Sequence, residues 1–225
     1  MKTFKFLAVA LISAFIMQGC MNPEGEKTET QEAQKEKSGE GMSYIVNADN
    51  SSVKWLGTKP TGEHYGYVPI TEGNLTVKNN MITGGSFTMD ISSLDVEDLE
   101  DPEKNAKLTG HLKSPDFFNT DTFPTSEFVI TGVEELNDKM SENGMELTHK
   151  ISGNLTIKDI TKNISFNANV NIMDNKLKAK TPQFLIDRTK WDVNWGSKSV
   201  FGKAVNTVVH DDIGITIKLH TKKQN

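Results

Sequence analysis

The sequence is short of several things at once, and each shortage removes a class of function. It holds a single cysteine in 225 residues, Cys20, which lies near the amino end and outside the stretch that patterns as a fold. The folded part therefore has no disulfide framework, no cysteine metal site and no thiol nucleophile. Beyond residue 16 no run is apolar for long enough to cross a bilayer as a helix. Lysine and arginine number 25 against 30 acidic residues, a net charge of -5, without the clustered basic run that binding to phosphates needs, so nucleic acid is not expected as a partner. The histidines His64, His111, His149, His210 and His220 stand in no metal-ligand spacing, so no metal is expected. His210-Asp211-Asp212 has no Gly-x-Ser-x-Gly to accompany it, which leaves a hydrolase the least favoured reading.

What is present begins with a targeting segment. Lys2 and Lys5 precede an apolar run over residues 6–16, and Met17-Gln18-Gly19-Cys20 follows directly. Residues 1–19 thus read as a signal peptide. The last four residues resemble a bacterial lipobox, which would make Cys20 the lipidated first residue of the mature chain and hold the protein at the bacterial cell envelope, facing the periplasm or the surface. Residues 20–42 are then the lipidated cysteine and a tether, since a segment of Glu, Lys, Gln, Thr and Gly with hardly an apolar side chain cannot offset the entropy of ordering.

Residues 43–220 carry the pattern of one domain, with 221–225 as a tail. Val53 and Trp55, Leu75 and Val77, then Phe87, Met89 and Ile91 alternate with polar neighbours. Phe128 and Ile130, Leu155 and Ile157, the run from Ile164 to Ile172, and Ile213 to Leu219 repeat the pattern. Period-two alternation means strands with one wet face and one buried face, hence antiparallel sheet. About eight such strands and one helix, over 102–112 behind Pro102, predict an all-β fold, a closed antiparallel barrel with one short helix in a connection. Two segments match each other, Gly73-Asn-Leu-Thr-Val-Lys78 and Gly153-Asn-Leu-Thr-Ile-Lys158, each followed by a Ser-Phe pair. They predict two similar hairpins joined by an aromatic-rich connector over 108–128.

A barrel of this size either fills with side chains or holds one small ligand. The candidate ligand-lining residues are Trp55, Leu75, Phe87, Met89, Ile91, Phe128, Ile130, Leu155, Ile157, Phe166, Ala168, Phe184 and Trp191. Among polar candidates, His111 is placed to meet free carbonyls at the end of the helix, ahead of a ligand-contact role. His64 is read equally as a satisfied loop histidine and as a polar group at the barrel mouth. Asp187 and Arg188 are adjacent, so one of them faces inward and needs a partner; a structural pair ranks ahead of a headgroup contact for Arg188.

Several motifs together resemble the YceI-like family of lipid and polyisoprenoid binding proteins. They are Gly110-His-Leu-Lys-Ser-Pro-Asp-Phe-Phe118 with Phe123-Pro124, Ser152-Gly-Asn-Leu-Thr-Ile-Lys158, Ile186-Asp-Arg-Thr-Lys-Trp191 and His64-Tyr-Gly66. The resemblance covers residues 44–219 and implies a lipocalin-like barrel with a long apolar tunnel for an isoprenoid or other lipid. Where the family pattern has a Phe-Gly type continuation, this chain reads Trp191-Asp-Val-Asn-Trp195, and two indoles would narrow or roof such a tunnel. The expected function is non-catalytic binding of a long-chain apolar ligand, of isoprenoid, quinone or fatty-acyl type, as carrier or reservoir, with no cofactor beyond the lipid itself. The alternatives are a structural envelope lipoprotein with a filled core and, last, an esterase.

The lipobox reading has a direct check. Labelled palmitate is expected to enter the wild-type chain and not Cys20→Ala, and the variant is expected to leave the membrane fraction after a carbonate wash.

Overall fold

The computed structural model describes residues 23–202 and 208–224, so residues 1–19, read above as a signal peptide, and Cys20 lie outside the described residues. The strands are β1 (Glu26–Lys27), β2 (Gln31–Glu32), β3 (Met42–Val46), β4 (Ser52–Lys59), β5 (Gly62–Lys78) and β6 (Met81–Asp90). They continue as β7 (Thr125–Glu142), β8 (Met145–Ile157), β9 (Ile160–Met173), β10 (Lys176–Lys180), β11 (Phe184–Asp187) and β12 (Asp212–Lys223). The ring runs β4-β5-β6-β7-β8-β9-β10-β12 and closes where β12 pairs back onto β4. Closure removes the open edges that the alternating strands would otherwise present. The ring pairings among the described residues run from β4 to β12 and enclose one core.

Short two-residue turns set the registers. Asn79-Asn80 joins β5 to β6, Lys158-Asp159 joins β8 to β9, and Asp174-Asn175 joins β9 to β10, with φ between 49° and 63° at all six positions. Positive φ at both central residues is the hairpin turn whose twist matches the strands, and Asn and Asp tolerate it best. Lys158 does not, and its ammonium is tied to the Asp192 carbonyl at 2.7 Å. The two repeats therefore form hairpins with the same turn, differing by a bulge at Thr76/Val77 in the first. Their glycines have one job in common. A Cβ on Gly153 would stand 2.2 Å from Cζ of Phe128, and one on Gly73 would stand 2.7 Å from Cβ of Phe87, so each glycine makes room for an inward phenylalanine on a neighbouring strand.

The predicted helix is present as α1 (Pro102–Lys113), with Pro102 in its first turn and the Asp101 carboxylate accepting from the amides of Glu103 and Lys104 at 3.0 and 3.2 Å. A one-turn helix, α2 (Lys198–Phe201), lies in the segment after β11. The connector with α1, the β4–β5 and β8–β9 turns and the segment after β11 all gather at one end of the barrel, the upper end.

Two expectations fail at the chain ends. Residues 221–225 are not all tail, because β12 runs to Lys223, Thr221 is buried, and Thr221 to Lys223 pair with β3. Nor is the span from 24 to 41 a tether: it is a strap laid around the barrel. Along the upper half of the wall β9 and β11 do not pair with each other, and the strap fills that gap. β1 runs parallel to β11, β2 pairs with β9, and Thr28 sits buried between them. The Thr28 amide donates to the Leu185 carbonyl at 2.9 Å. Its hydroxyl donates to the Ser165 carbonyl at 2.7 Å and accepts from the Ser165 amide at 3.1 Å. Further along, the Asn154 carboxamide accepts from the Gln34 amide at 2.9 Å and donates to the Gln34 carbonyl at 2.8 Å, standing in for a paired strand. Polar composition misled the sequence reading for a physical reason. The strap is ordered by hydrogen bonds to polar groups on the outside of the barrel, not by burying apolar surface.

Asn154 is buried and also accepts from Asn163 at 3.0 Å, so its removal strands several partners. Asn154→Ala is expected to lower stability in urea by about 2–3 kcal/mol and to open Lys35 and Lys37 to trypsin. Unchanged stability and cleavage would mean the strap is not fixed to the wall.

Candidate functional site

The barrel interior is divided across its length. Towards the lower end Tyr44, Leu75, Ile130, Ala168 and Leu177 are buried as filled core. Above them Phe87, Phe128, Phe166 and Phe184, from β6, β7, β9 and β11, form a continuous belt with ring centroids 5.3, 5.4 and 4.7 Å apart. On the upper side of that belt lies a cavity of about 270 Å³, almost wholly apolar in its lining. It is a blind cavity in the upper half, not the long tunnel that the family resemblance implies.

Nine of the thirteen candidates face it: Trp55, Phe87, Met89, Ile91, Phe128, Leu155, Ile157, Phe166 and Phe184. The other four do not line it. Leu75, Ile130 and Ala168 belong to the filled half. Trp191 is fully buried in a 3-10 turn (Arg188–Trp191), where its indole N–H donates to the Leu155 carbonyl at 3.0 Å and pins that turn to β8. Alternation gives every inward position the same sign, so it cannot say at what height filling stops and the cavity begins.

Apart from Trp195, which the sequence marked as able to narrow or roof the interior, sequence reasoning missed the mouth, because connections rather than strands build it. Leu94, Leu108, Leu112, Phe117 and Phe118 come from the connector and α1, and Trp195 from the segment after β11. His111 does not meet helix carbonyls through its ring; its Nε2 lies 3.0 Å from the Asp116 carboxylate. The ring makes edge contacts with Trp195 at 4.6 Å and Phe117 at 5.0 Å, an aromatic cluster at the mouth. The clustered phenylalanines and the second indole were the signals for it. Ile213 and Ile215 also face the cavity, and their alternation had been visible.

Polar groups collect on one flank of the mouth. His64 fills both roles considered for it: it lines the cavity, and its Nδ1 lies 2.7 Å from the Asp98 carboxylate, whose other oxygen accepts from the Tyr65 amide at 2.9 Å. Lys59 Nζ stands 3.3 Å from His64 Nε2. Buried Thr58 and His210 share a hydrogen bond of 2.7 Å through Oγ1 and Nδ1.

Arg188 is the buried charge. Its guanidinium donates to the carbonyls of His210 at 3.0 Å and Val209 at 3.1 Å, and also to that of Val193, which ties together both ends of the segment after β11. Burial pushes its pKa down, while Asp211 and Asp187 pull it back up. The Asp211 carboxylate stands 3.8 Å away, an ion pair without a hydrogen bond. Asp187 instead accepts from the Thr189 amide and hydroxyl at 3.1 and 2.6 Å and starts the turn. Arg188 is thus a clamp on backbone carbonyls more than one half of a charge pair. Burial likewise lowers the pKa of His149, partly offset by Glu135, and this histidine lies outside the cavity lining.

The comparisons fit this geometry. A profile for the YceI-like domain matches residues 44–221. A UPF0312 protein of Photorhabdus laumondii is 30% identical over 83 residues, 37% of this chain, and the match spans only 35% of that relative. Two solved structures share the fold. BcnA of Burkholderia cenocepacia is 18% identical with a TM-score of 0.54, covering 78% of this chain and 98% of its own. A polyisoprenoid binding domain from Saccharophagus degradans, implicated in plant cell wall breakdown, is 12% identical with a TM-score of 0.59, covering 81% and 99%. The lipocalin-like barrel, the motifs on its walls and the profile match over most of its length agree, and the chain belongs to the YceI-like domain family.

Proposed function

We propose that this protein binds one end of a long-chain apolar ligand, an isoprenoid, quinone-type or fatty-acyl lipid, in the upper half of its barrel, as a carrier or reservoir without turnover. The observation that carries this reading is the apolar cavity above the phenylalanine belt. A chain entering at the mouth passes the aromatic cluster of His111, Phe117 and Trp195 and ends against the belt. Its polar end stays beside Lys59 and His64. Family membership supports the reading, as does the polyisoprenoid binding domain with the same fold. The protein would act at the bacterial envelope, held there by a lipid on Cys20.

A filled-core structural lipoprotein would have no use for this cavity, which is the reason to rank binding first. The hydrolase reading is weakened by how its residues are used. His210 turns Nδ1 to Thr58 rather than to a carboxylate, and Asp211 faces Arg188.

Each methylene that enters the cavity would contribute roughly 0.8 kcal/mol before association costs. Because the cavity is blind, affinity should climb with chain length, by up to about fourfold per carbon, and level off once the belt is reached. Ile215→Trp, at a partly exposed wall position, should move that plateau to shorter chains in a protein with unchanged circular dichroism. The measurement is a titration with a homologous lipid series, alongside mass spectrometry of lipid extracted from natively expressed protein. Affinity independent of length, with Ile215→Trp indistinguishable from wild type, would sink the proposal.

A further inference from the structure

The outer face of β10 carries Lys176, Lys178 and Lys180, alternating with inward Leu177 and Ala179. On the neighbouring β12 the outward positions include Lys218, His220 and Lys222, and β4 beyond it adds Lys54. Register makes these one surface. Lys178 stands opposite His220, Lys180 opposite Lys218, and Thr216 of β12 opposite Lys54. Like charges directly opposite each other weaken a sheet, so the Lys180–Lys218 pair costs stability where it stands. His220 shows the local field: burial and then its neighbours Lys218 and Lys178 lower its pKa. The lysine ion pairs among the described residues fall elsewhere, on Lys27, Lys78, Lys104, Lys158, Lys162 and Lys190.

This face is also apolar in a regular way. Three of its lysines have an exposed apolar side chain as cross-strand partner: Lys176 faces Met173, Lys54 faces Tyr67, and Lys222 faces Ile45. Lysines interleaved with exposed apolar groups are what a protein surface needs to sit in the headgroup layer of an anionic bilayer. The strap enters on the same face. Glu24 is held through its carbonyl by the Gln183 side chain at 2.5 Å, and that side chain lies over Gly214 on the outside of β12. Pro23 is buried there. Cys20 precedes it by only three residues, a reach of about 10 Å.

We propose that the outer face of β10, β12 and β4 is a docking surface for anionic lipid bilayer, so that the barrel lies with its side on the membrane. The strap makes this more than a charge argument. With residues 24–41 bound to the wall instead of forming a spacer, an acyl group on Cys20 would hold this side of the barrel near the membrane. The face works without the acyl group and without the cavity, so its test is independent of the lipid-binding reading.

The test uses the full chain carrying Cys20→Ala, which cannot be acylated there, and sedimentation with vesicles of phosphatidylglycerol and phosphatidylcholine in equal parts, against phosphatidylcholine alone. Binding to the anionic vesicles only, lost between about 0.1 M and about 0.5 M salt, is expected. Removing one lysine charge should weaken binding about fivefold, so Lys178→Gln/Lys180→Gln/Lys218→Gln together should weaken it about 100-fold with no loss of thermal stability. Lys104→Gln/Lys107→Gln/Lys113→Gln, on α1, should bind as wild type. Ile45→Ser/Tyr67→Ser/Met173→Ser should weaken vesicle binding and leave heparin binding unchanged. No preference for anionic vesicles, or equal loss in the two lysine triples, would overturn the proposal. So would heparin binding as tight as vesicle binding with the apolar triple silent, which would mark a surface for soluble polyanions.

Discussion

The structure depends on closing one gap. β10 ends at Lys180, and above that height β9 and β11 run too far apart to pair with each other. An open edge at this level would expose unpaired backbone groups beside the cavity, and such groups must find partners. Thr28 supplies them from outside the ring, with its amide on β11 and its hydroxyl bridging both backbone groups of Ser165 on β9. The strap is therefore part of the cavity wall. Phe166 and Phe184, whose rings stack 4.7 Å apart across this same gap, join the belt only if the wall beneath them is continuous.

The belt in turn separates two uses of one interior. Below it the barrel is packed with aliphatic side chains and Tyr44, which gives the sheet its stability; above it the aromatic rings form the floor of the cavity. The mouth is assembled from segments that are not strands, and two fastenings hold them. Arg188 gathers the carbonyls of Val193, Val209 and His210, and Trp191 bonds to Leu155 at the head of the β8–β9 hairpin. The Ile186-Asp187-Arg188 motif thus sets a core position, a turn cap and a clamp in three consecutive residues.

Charge follows the same division. Acidic residues crowd the chain from Asp95 to Glu103, in the connector at the upper end, whereas the lysines of β10 and β12 lie on the outer wall towards the lower end. A net charge of -5 conceals a molecule with two differently charged surfaces. That asymmetry gives the barrel an orientation on any charged surface.

Much of this was legible in the residues. Period-two alternation fixes inward and outward faces, so the all-β class, the closed barrel and nine of the thirteen candidate lining residues could be read directly. Pro102 marked the helix, whereas its cap, Asp101, emerged only in the structure. The repeated Gly-Asn-Leu-Thr segments marked two matching hairpins. Three things were decided only in three dimensions. The height at which packing gives way to cavity depends on how rings from separate strands meet, and so Leu75, Ile130 and Ala168 went to the core while Phe117 and Trp195 came to the mouth. The order of the strap depends on hydrogen-bond partners such as Asn154 and Ser165, more than a hundred residues away, which composition cannot register. The basic face depends on strand order: lysines spaced two apart on β10 and β12 are a scattered pattern along the chain, and they become a surface because antiparallel pairing sets Lys180 beside Lys218.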